Sequence, residues 1–286
     1  MTANRYDPAF PKQRGKPWIA LGIVALTMVV AVFANQLVLH DPEAVDPANA
    51  LLPPVLFEGG LLEYPLGTDR LGRDILSRVM LGTRISLSIA AMALAFGGIV
   101  GVVLGMIAGY RGGWVDVVIM RLADSFLAFP SVLIALVLAV TIGARMELVA
   151  LVLGLVLWAR FARLIRGEVL TWKERDFVAL ARVSGATGRY IMIRHLLPNV
   201  ANSLVVLATL QVGWAIVVEA SLTFLGAGVP PPTPTWGGMV AEGLDFIESA
   251  WWISLMPGIA ILLVVFAFNV LGDWLRDKLD PQLRSV

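Results

Sequence analysis

The sequence predicts an all-α membrane protein with six transmembrane helices. Three observations lead there. Mean hydropathy is +0.81, and only 15% of residues are charged; a soluble domain of 286 residues needs more charge to cover its surface. Apolar runs of about 20 residues recur, the length that about 30 Å of hydrocarbon demands at helical rise. Within them apolar residues are continuous rather than alternating, which argues against barrel strands.

Residues 1–17 form a polar tail with Lys12, Arg14 and Lys16. The first span is Trp18 to Leu39. Val32-Phe33-Ala34 would pass as a weak cleavage site, but the run is longer than a usual signal core, so it is read as an uncleaved span. Residues 40–84 form a loop. Within Pro65–Ser86, Leu71, Ile75, Leu76 and Val79 fall at helical spacing among Asp69, Arg70, Arg73 and Asp74, which predicts an amphipathic helix packed on the span ends. Residues 85–275 hold five further spans. Ile85 to Tyr110 has no charge and carries Gly97, Gly98, Gly101, Gly105 and Gly109, residues that permit close helix approach. Val115 to Ile142 is interrupted by Asp116, Arg121 and Asp124. Leu148 to Ile165 is short, and Arg160, Arg163 and Arg166 are expected to snorkel inward from it. Leu197 to Val229 contains Glu219. Trp251 to Gly272 is uncharged, and residues 276–286 form the second tail. Trp236, Trp251 and Trp252 suit an interfacial belt, and "PPPTPTWGG" a stiff turn.

Six spans place both termini on one side. With the amino terminus inside, inner segments hold sixteen of the 22 Lys and Arg, so the positive-inside rule puts both tails in the cytoplasm and residues 40–84 outside. That loop is basic near its end but also holds seven acidic residues.

Several function classes fall away. A net charge of +1 gives no overall field for nucleic acid. The absence of cysteine removes disulfides, thiolate metal sites and a cysteine nucleophile. His40 and His195 lie on opposite sides in this topology, so a paired-His metal site is not expected. No G-x-x-x-x-G-K-[ST] phosphate loop occurs; Gly15-Lys16 is followed by Pro17. Arg121, Asp124 and Glu219 offer no nucleophile–base pair for an intramembrane enzyme.

The stretch "DFVALARVSGATGRYIMIRHLLPN", Asp176 to Asn199, is polar within this apolar chain. Phe177, Leu180, Ala181 and Ser184 fall at i, i+3, i+4 and i+7. Gly185 suits a helix end needing a left-handed residue, and Pro198 suits a helix start. Pattern alone is compatible with resting on lipid headgroups or docking a partner.

Gly185, with Ala181 before it and Leu197-Pro198 after it, resembles the cytoplasmic "EAA" loop of ABC importer permeases. "PLGTDRLGRDILSRVMLGTRISL" (Pro65 to Leu87), "AGYRGGWVDVVIMRLADSFLAFP" (Ala108 to Pro130) and "EASLTFLGAGVPPPTPTWGGMV" (Glu219 to Val240) resemble the C-type permease of dipeptide, oligopeptide and nickel importers. The resemblance implies the type I importer core in a bacterial cytoplasmic membrane. It implies a second permease, two ATPase subunits that bind ATP and Mg, and an extracytoplasmic binding protein. No cofactor is expected on this chain. Residues 167–197 would be the coupling loop, with Arg175, Asp176, Phe177, Ala179, Leu180, Ala181, Arg182, Ser184 and Gly185 at the ATPase groove. Ala179 stands where the family has a loop glutamate and Leu180 where it has an alanine, so a salt bridge from that position does not carry over. Peptides are the implied cargo, with nickel chelates, glutathione or sugars as alternatives.

Charges inside spans are costly, about 2.5–3.5 kcal/mol each at mid-membrane, and face protein or water. Arg121 and Asp124, at i and i+3, can pair on one helix face, as a structural brace or as a contact for cargo in the pathway. Glu219 is read as structural or gating, facing the pathway or the sister subunit. Asn202 and Thr209, seven apart, share a face and would line a path or bond between helices. A secondary transporter would need inverted repeats, and none is evident.

Overall fold

The computed structural model describes residues 16–279. Both tails, residues 1–15 and 280–286, lie outside the described residues. Ten α-helices follow in order: α1 (Trp18–Leu37), α2 (Ile75–Arg111), α3 (Gly113–Ala128), α4 (Ser131–Ile142), α5 (Met146–Trp172), α6 (Asp176–Val183), α7 (Gly188–Tyr190), α8 (Leu197–Phe224), α9 (Trp236–Leu244) and α10 (Trp252–Leu279). A π-helix, Ile191–Leu196, joins α7 to α8.

The bundle is organised around α5, the most buried span-length helix. Its Leu153, Leu157, Phe161 and Ile165 are wholly or almost wholly enclosed. Helix α2 lies against it through glycines spaced by four. A Cβ at Gly97 would sit 2.6 Å from the Leu157 Cβ, and one at Gly101 2.5 Å from the Phe161 Cβ and the Trp158 carbonyl oxygen. At Gly105 the obstacle is the Ala162 carbonyl oxygen at 2.6 Å, and at Gly109 the Val169 side chain at 2.8 Å. The stripe therefore sets the interhelix distance, as its spacing suggests. Gly98, off the stripe, faces open space. Gly101→Ala should push α2 off α5 and cost about 1–3 kcal/mol, the usual range for overpacking. Gly98→Ala should be neutral or slightly stabilising. Melting of the two variants in the same detergent checks the contrast.

Three expected elements differ. The separate amphipathic helix over Pro65–Ser86 does not exist. Residues 65–74 form turns, and the helix begins at Ile75, with the Asp74 carboxylate accepting from the Leu76 and Ser77 N–H groups. It then runs 37 residues to Arg111, about 55 Å at 1.5 Å per residue, well beyond a membrane's hydrocarbon. Nothing between Ser77 and Ile85 breaks a helix, so the second span simply continues outward.

The third span is broken. Helices α3 and α4 are bent by 80° across a short gap. Pro130 caps α4, and Phe129 before it is extended, with φ −85° and ψ 132°. A residue preceding proline is pushed out of the helical region, so the break follows locally from the sequence. Five single helices are long and apolar enough to cross a membrane, and six if this bent pair counts as one span.

The tryptophan belt is also corrected. Trp236 and Trp252 are buried. Their indole N–H groups donate to the carbonyls of Val79 at 3.1 Å and Thr68 at 3.0 Å. They fasten α9 and α10 to the 40–84 loop and the start of α2.

Candidate functional site

Helix α6 and the turn after it are largely exposed. Val178 is its one fully buried side chain and packs with Ile165, Val169, Ile191 and Leu196. Lys173 donates to the Gly109 carbonyl at 3.1 Å, tying the preceding turn to the end of α2. Helix α6 stops in a complete glycine cap. Gly185 has φ +82°. The Ala186 N–H donates to the Ala181 carbonyl and the Gly185 N–H to the Arg182 carbonyl, both at 3.0 Å. These are the two bonds of a Schellman motif. The next helix starts at Thr187, whose hydroxyl accepts from the Tyr190 N–H.

The expected apolar face is rotated. Phe177, Leu180 and Ser184 do not pack inward; Val178 does, with Ala181 half-buried. Leu180 and Val183 point away from the chain, being 67% and 88% exposed, while Phe177 is 36% exposed and lies beside the Trp172 and His195 rings. Val183 was missed, although its spacing from Leu180 and Phe177 was the available signal. Arg175, Asp176, Ala179, Arg182, Ser184 and Gly185 are also exposed. Arg175 lies over the Trp172 ring at 5.8 Å and Arg182 over Tyr110 at 5.7 Å. The result is an apolar strip flanked by cations, held on a rigid turn.

Pro198 has no N–H to donate back along the helix, and the turn before it is wound as π-helix. The Asn199 amide donates to the His195 carbonyl there. The second short helix is thus continuous with the following span rather than separate.

The charges within spans pair differently from expectation. Asp124 is bound by Arg163 of α5, not by Arg121. Arg121 is exposed and makes no salt bridge among the described residues. Asp116 takes a two-pronged contact from Arg166, with one arm at 2.6 Å. Arg163 and Arg166 therefore brace α5 to α3. Arg160 turns the other way. It donates to the Gln211 side chain at 2.9 Å and lies over Trp214 at 3.9 Å.

Glu219 is fully buried between α2 and α8, accepting from the Ser86 and Thr223 hydroxyls, each at 2.9 Å. It faces neither an opening nor an outer surface of this chain. Thr209 donates to its own helix at Val205. Asn202 is exposed and lines a cavity of about 540 Å³ with Glu168, Trp172, Asn199, Ser203 and Arg276.

On the other side of the bundle lies a buried ion cluster that composition could not place. Arg73 binds Asp69 at 2.6 Å and Glu242 at 2.7 Å; Arg78 binds Glu242 at 3.1 Å and lies 3.7 Å from Asp69. Both arginines are almost wholly buried. Two of the four arginines at the basic end of the 40–84 loop are therefore neutralised internally, and Arg73 is not a surface contact. Among the described residues, no cluster of His, Asp or Glu is arranged to hold a metal.

Comparison with known proteins agrees with this architecture. Residues 101–285 match the model of the binding-protein-dependent transport system inner membrane component family. The chain is 44% identical over 267 residues to the dipeptide transport system permease protein DppC of Escherichia coli K12, covering 93% of this chain and 89% of that one. It is 37% identical to the DppC of Alkalihalophilus pseudofirmus, covering 97% and 90%. It is 40% identical to the glutathione transport system permease protein GsiD of Pectobacterium atrosepticum, covering 93% and 87%. Among solved structures, the inward-facing MetNI methionine ABC transporter matches with TM-score 0.60 at 16% identity, over 72% of this chain and 98% of that one, a likeness of fold alone. The chain therefore belongs to the family of binding-protein-dependent transport system inner membrane components, and is a multi-pass membrane permease subunit.

Proposed function

We propose that this chain is one of two permease subunits of an ATP-driven importer that moves di- or oligopeptides across the bacterial cytoplasmic membrane. The α6 strip carries the reading. Phe177, Leu180 and Val183 stand exposed beside Arg175 and Arg182, on a helix whose direction is fixed by the Gly185 cap. Such a strip fits a groove on an ATPase subunit. Docking rests on shape and apolar contact, because Ala179 supplies no carboxylate. Val178 and Lys173 tie α6 to α5, α2 and the start of α8. Movement of an ATPase would thereby reach the helices that enclose the path. ATP and Mg bind the partner subunits.

The names of the DppC relatives support peptides as cargo, and those of the GsiD relatives make glutathione, itself a peptide, the second reading. On the opposite side, Leu56, Phe57 and Leu62 are exposed on the 40–84 loop. They would meet the extracytoplasmic binding protein. Both tails then lie in the cytoplasm.

This orientation is tested with single cysteines, since the chain has none of its own. In intact cells an impermeant thiol reagent should label Glu58→Cys and spare Ser184→Cys until the cells are opened. The reverse pattern would invert the topology and remove the ATPase-docking assignment.

A further inference from the structure

Three arginines sit on α5 within two turns, and two of them have carboxylates. Arg163 holds Asp124 and Arg166 holds Asp116. Arg160 has none among the described residues. It lies 14 residues from Met146 and 12 from Trp172 in the 27-residue α5, hence near the middle of a helix about 40 Å long. A cation on a membrane-spanning helix requires protein or water around it and a partner. Gln211 takes one of its edge donors and Trp214 covers it at 3.9 Å. The guanidinium has five N–H donors in a planar fork. Arg160 remains half-exposed, so donors remain for a group outside this chain.

The surroundings indicate what that group is. Helices α5 and α8 run side by side, and their seam is apolar on one side of Arg160. There Leu153, Leu157 and Leu222 belong to the core, with Trp214 and Val218 packed on it. On the α6 side of Arg160 the seam turns polar. Glu168, eight residues on, accepts from Ser203 at 2.7 Å and from the Trp172 indole at 3.1 Å, and no salt bridge to it occurs among the described residues. Asn199, Asn202 and Arg276 follow around the 540 Å³ cavity. A fixed salt bridge to a sister chain would need one acceptor at one point. Polar groups recurring along a seam that also presents Leu164, Val206, Leu207 and Leu210, first Arg160 with Gln211 and then Glu168 with Ser203, fit a solute that moves.

We propose that the α5–α8 seam is this chain's half of the cargo path and that Arg160 binds the carboxylate of the passing cargo. A zwitterionic peptide places its carboxylate at Arg160; Glu168, about 12 Å along the helix, is farther than the roughly 7 Å an extended dipeptide spans, so only the amino group of a longer peptide reaches it. Carboxylate held by the guanidinium fork is a charge-assisted contact, directional enough to select for a free carboxyl end. The inference deepens the proposed function and rests on it.

The test uses the complete importer in proteoliposomes, with saturating binding protein and radiolabelled alanyl-alanine as probe. Arg160→Gln should lower uptake at least about tenfold, the equivalent of one charge-assisted hydrogen bond. Subunit co-purification should be unchanged. Arg160→Lys, which keeps the charge and loses the fork, should fall between. In a second measurement, alanyl-alanine should slow thiol modification of Asn202→Cys during turnover, and should do so less in the Arg160→Gln background. Wild-type uptake in Arg160→Gln, or no protection at position 202, overturns the inference while leaving the importer assignment intact. Dissociation of the two permeases in Arg160→Gln would instead assign Arg160 to a sister-chain salt bridge. A wild-type complex that imports only solutes without a carboxylate, and not alanyl-alanine, removes the peptide reading itself.

Discussion

Glu242→Ala is expected to destabilise the bundle by about 3–5 kcal/mol, the cost of removing one partner from a buried ion network. Glu242 is the shared acceptor of Arg73 and Arg78, which are 4% and 1% exposed. Without it a single carboxylate, Asp69, faces two buried guanidinium groups, and the Arg78 Nε, already lacking a hydrogen bond, gains nothing. Because the cluster joins the turn before α2 to α9, the loss should loosen the outer cap as a unit. Arg73→Glu should be at least as damaging, since it would set three carboxylates together. Its effect on transport would then report folding rather than a lost docking contact. Thermal melting in detergent is the check, with Glu248→Ala as an exposed control that should change stability by no more than about 0.5 kcal/mol. A Glu242→Ala melt matching that control would show the cluster to be dispensable.

Gly185→Val should leave the protein inserted and folded while abolishing uptake. Nothing lies within 4 Å of a Cβ placed at Gly185, so bulk is not the obstacle. The obstacle is φ +82°. A side chain there costs about 1–2 kcal/mol, more for a β-branched one. That cost falls on a cap made of two hydrogen bonds on an exposed eight-residue helix. A shift of 1.4 kcal/mol is tenfold in the population holding the docking shape. Because Ala179 leaves no loop carboxylate to anchor the contact, the lost shape is not compensated. ATPase subunits should dissociate, or hydrolyse ATP without uptake. Gly185→Asn, which tolerates the left-handed region better, should retain more activity than Gly185→Val. Equal activity in all three proteins would return α6 to a lipid-surface role.

The sequence revealed what is local or periodic. The Gly97–Gly109 stripe was legible because four-residue spacing puts small residues on one helix face, and the Gly185 turn because few residues other than glycine accept its φ. The break at Phe129–Pro130 was equally local but was overridden by a continuous apolar run. Pairings across the fold were not legible. Asp124 had Arg121 at a plausible i+3 spacing, yet Arg163 of a neighbouring helix reaches it. Arg73 and Glu242 are 169 residues apart. Trp236 and Trp252 looked interfacial because composition does not show that a carbonyl waits for their indole N–H groups. The rotated face of α6 had a similar origin. Phe177 and Leu180 satisfy a helical period, but only the packing of Val178 against α5 and the start of α8 decides which side is covered.

The central claim is that this permease works through separate ATPase subunits seated on α6. Purification of the tagged chain from its native membranes in mild detergent, with identification of the subunits that accompany it, tests that most directly. Two ATPase subunits and a second permease should accompany the wild-type chain and be released or uncoupled by Gly185→Val. A chain that purifies alone and transports its solute in proteoliposomes without any ATPase would contradict it.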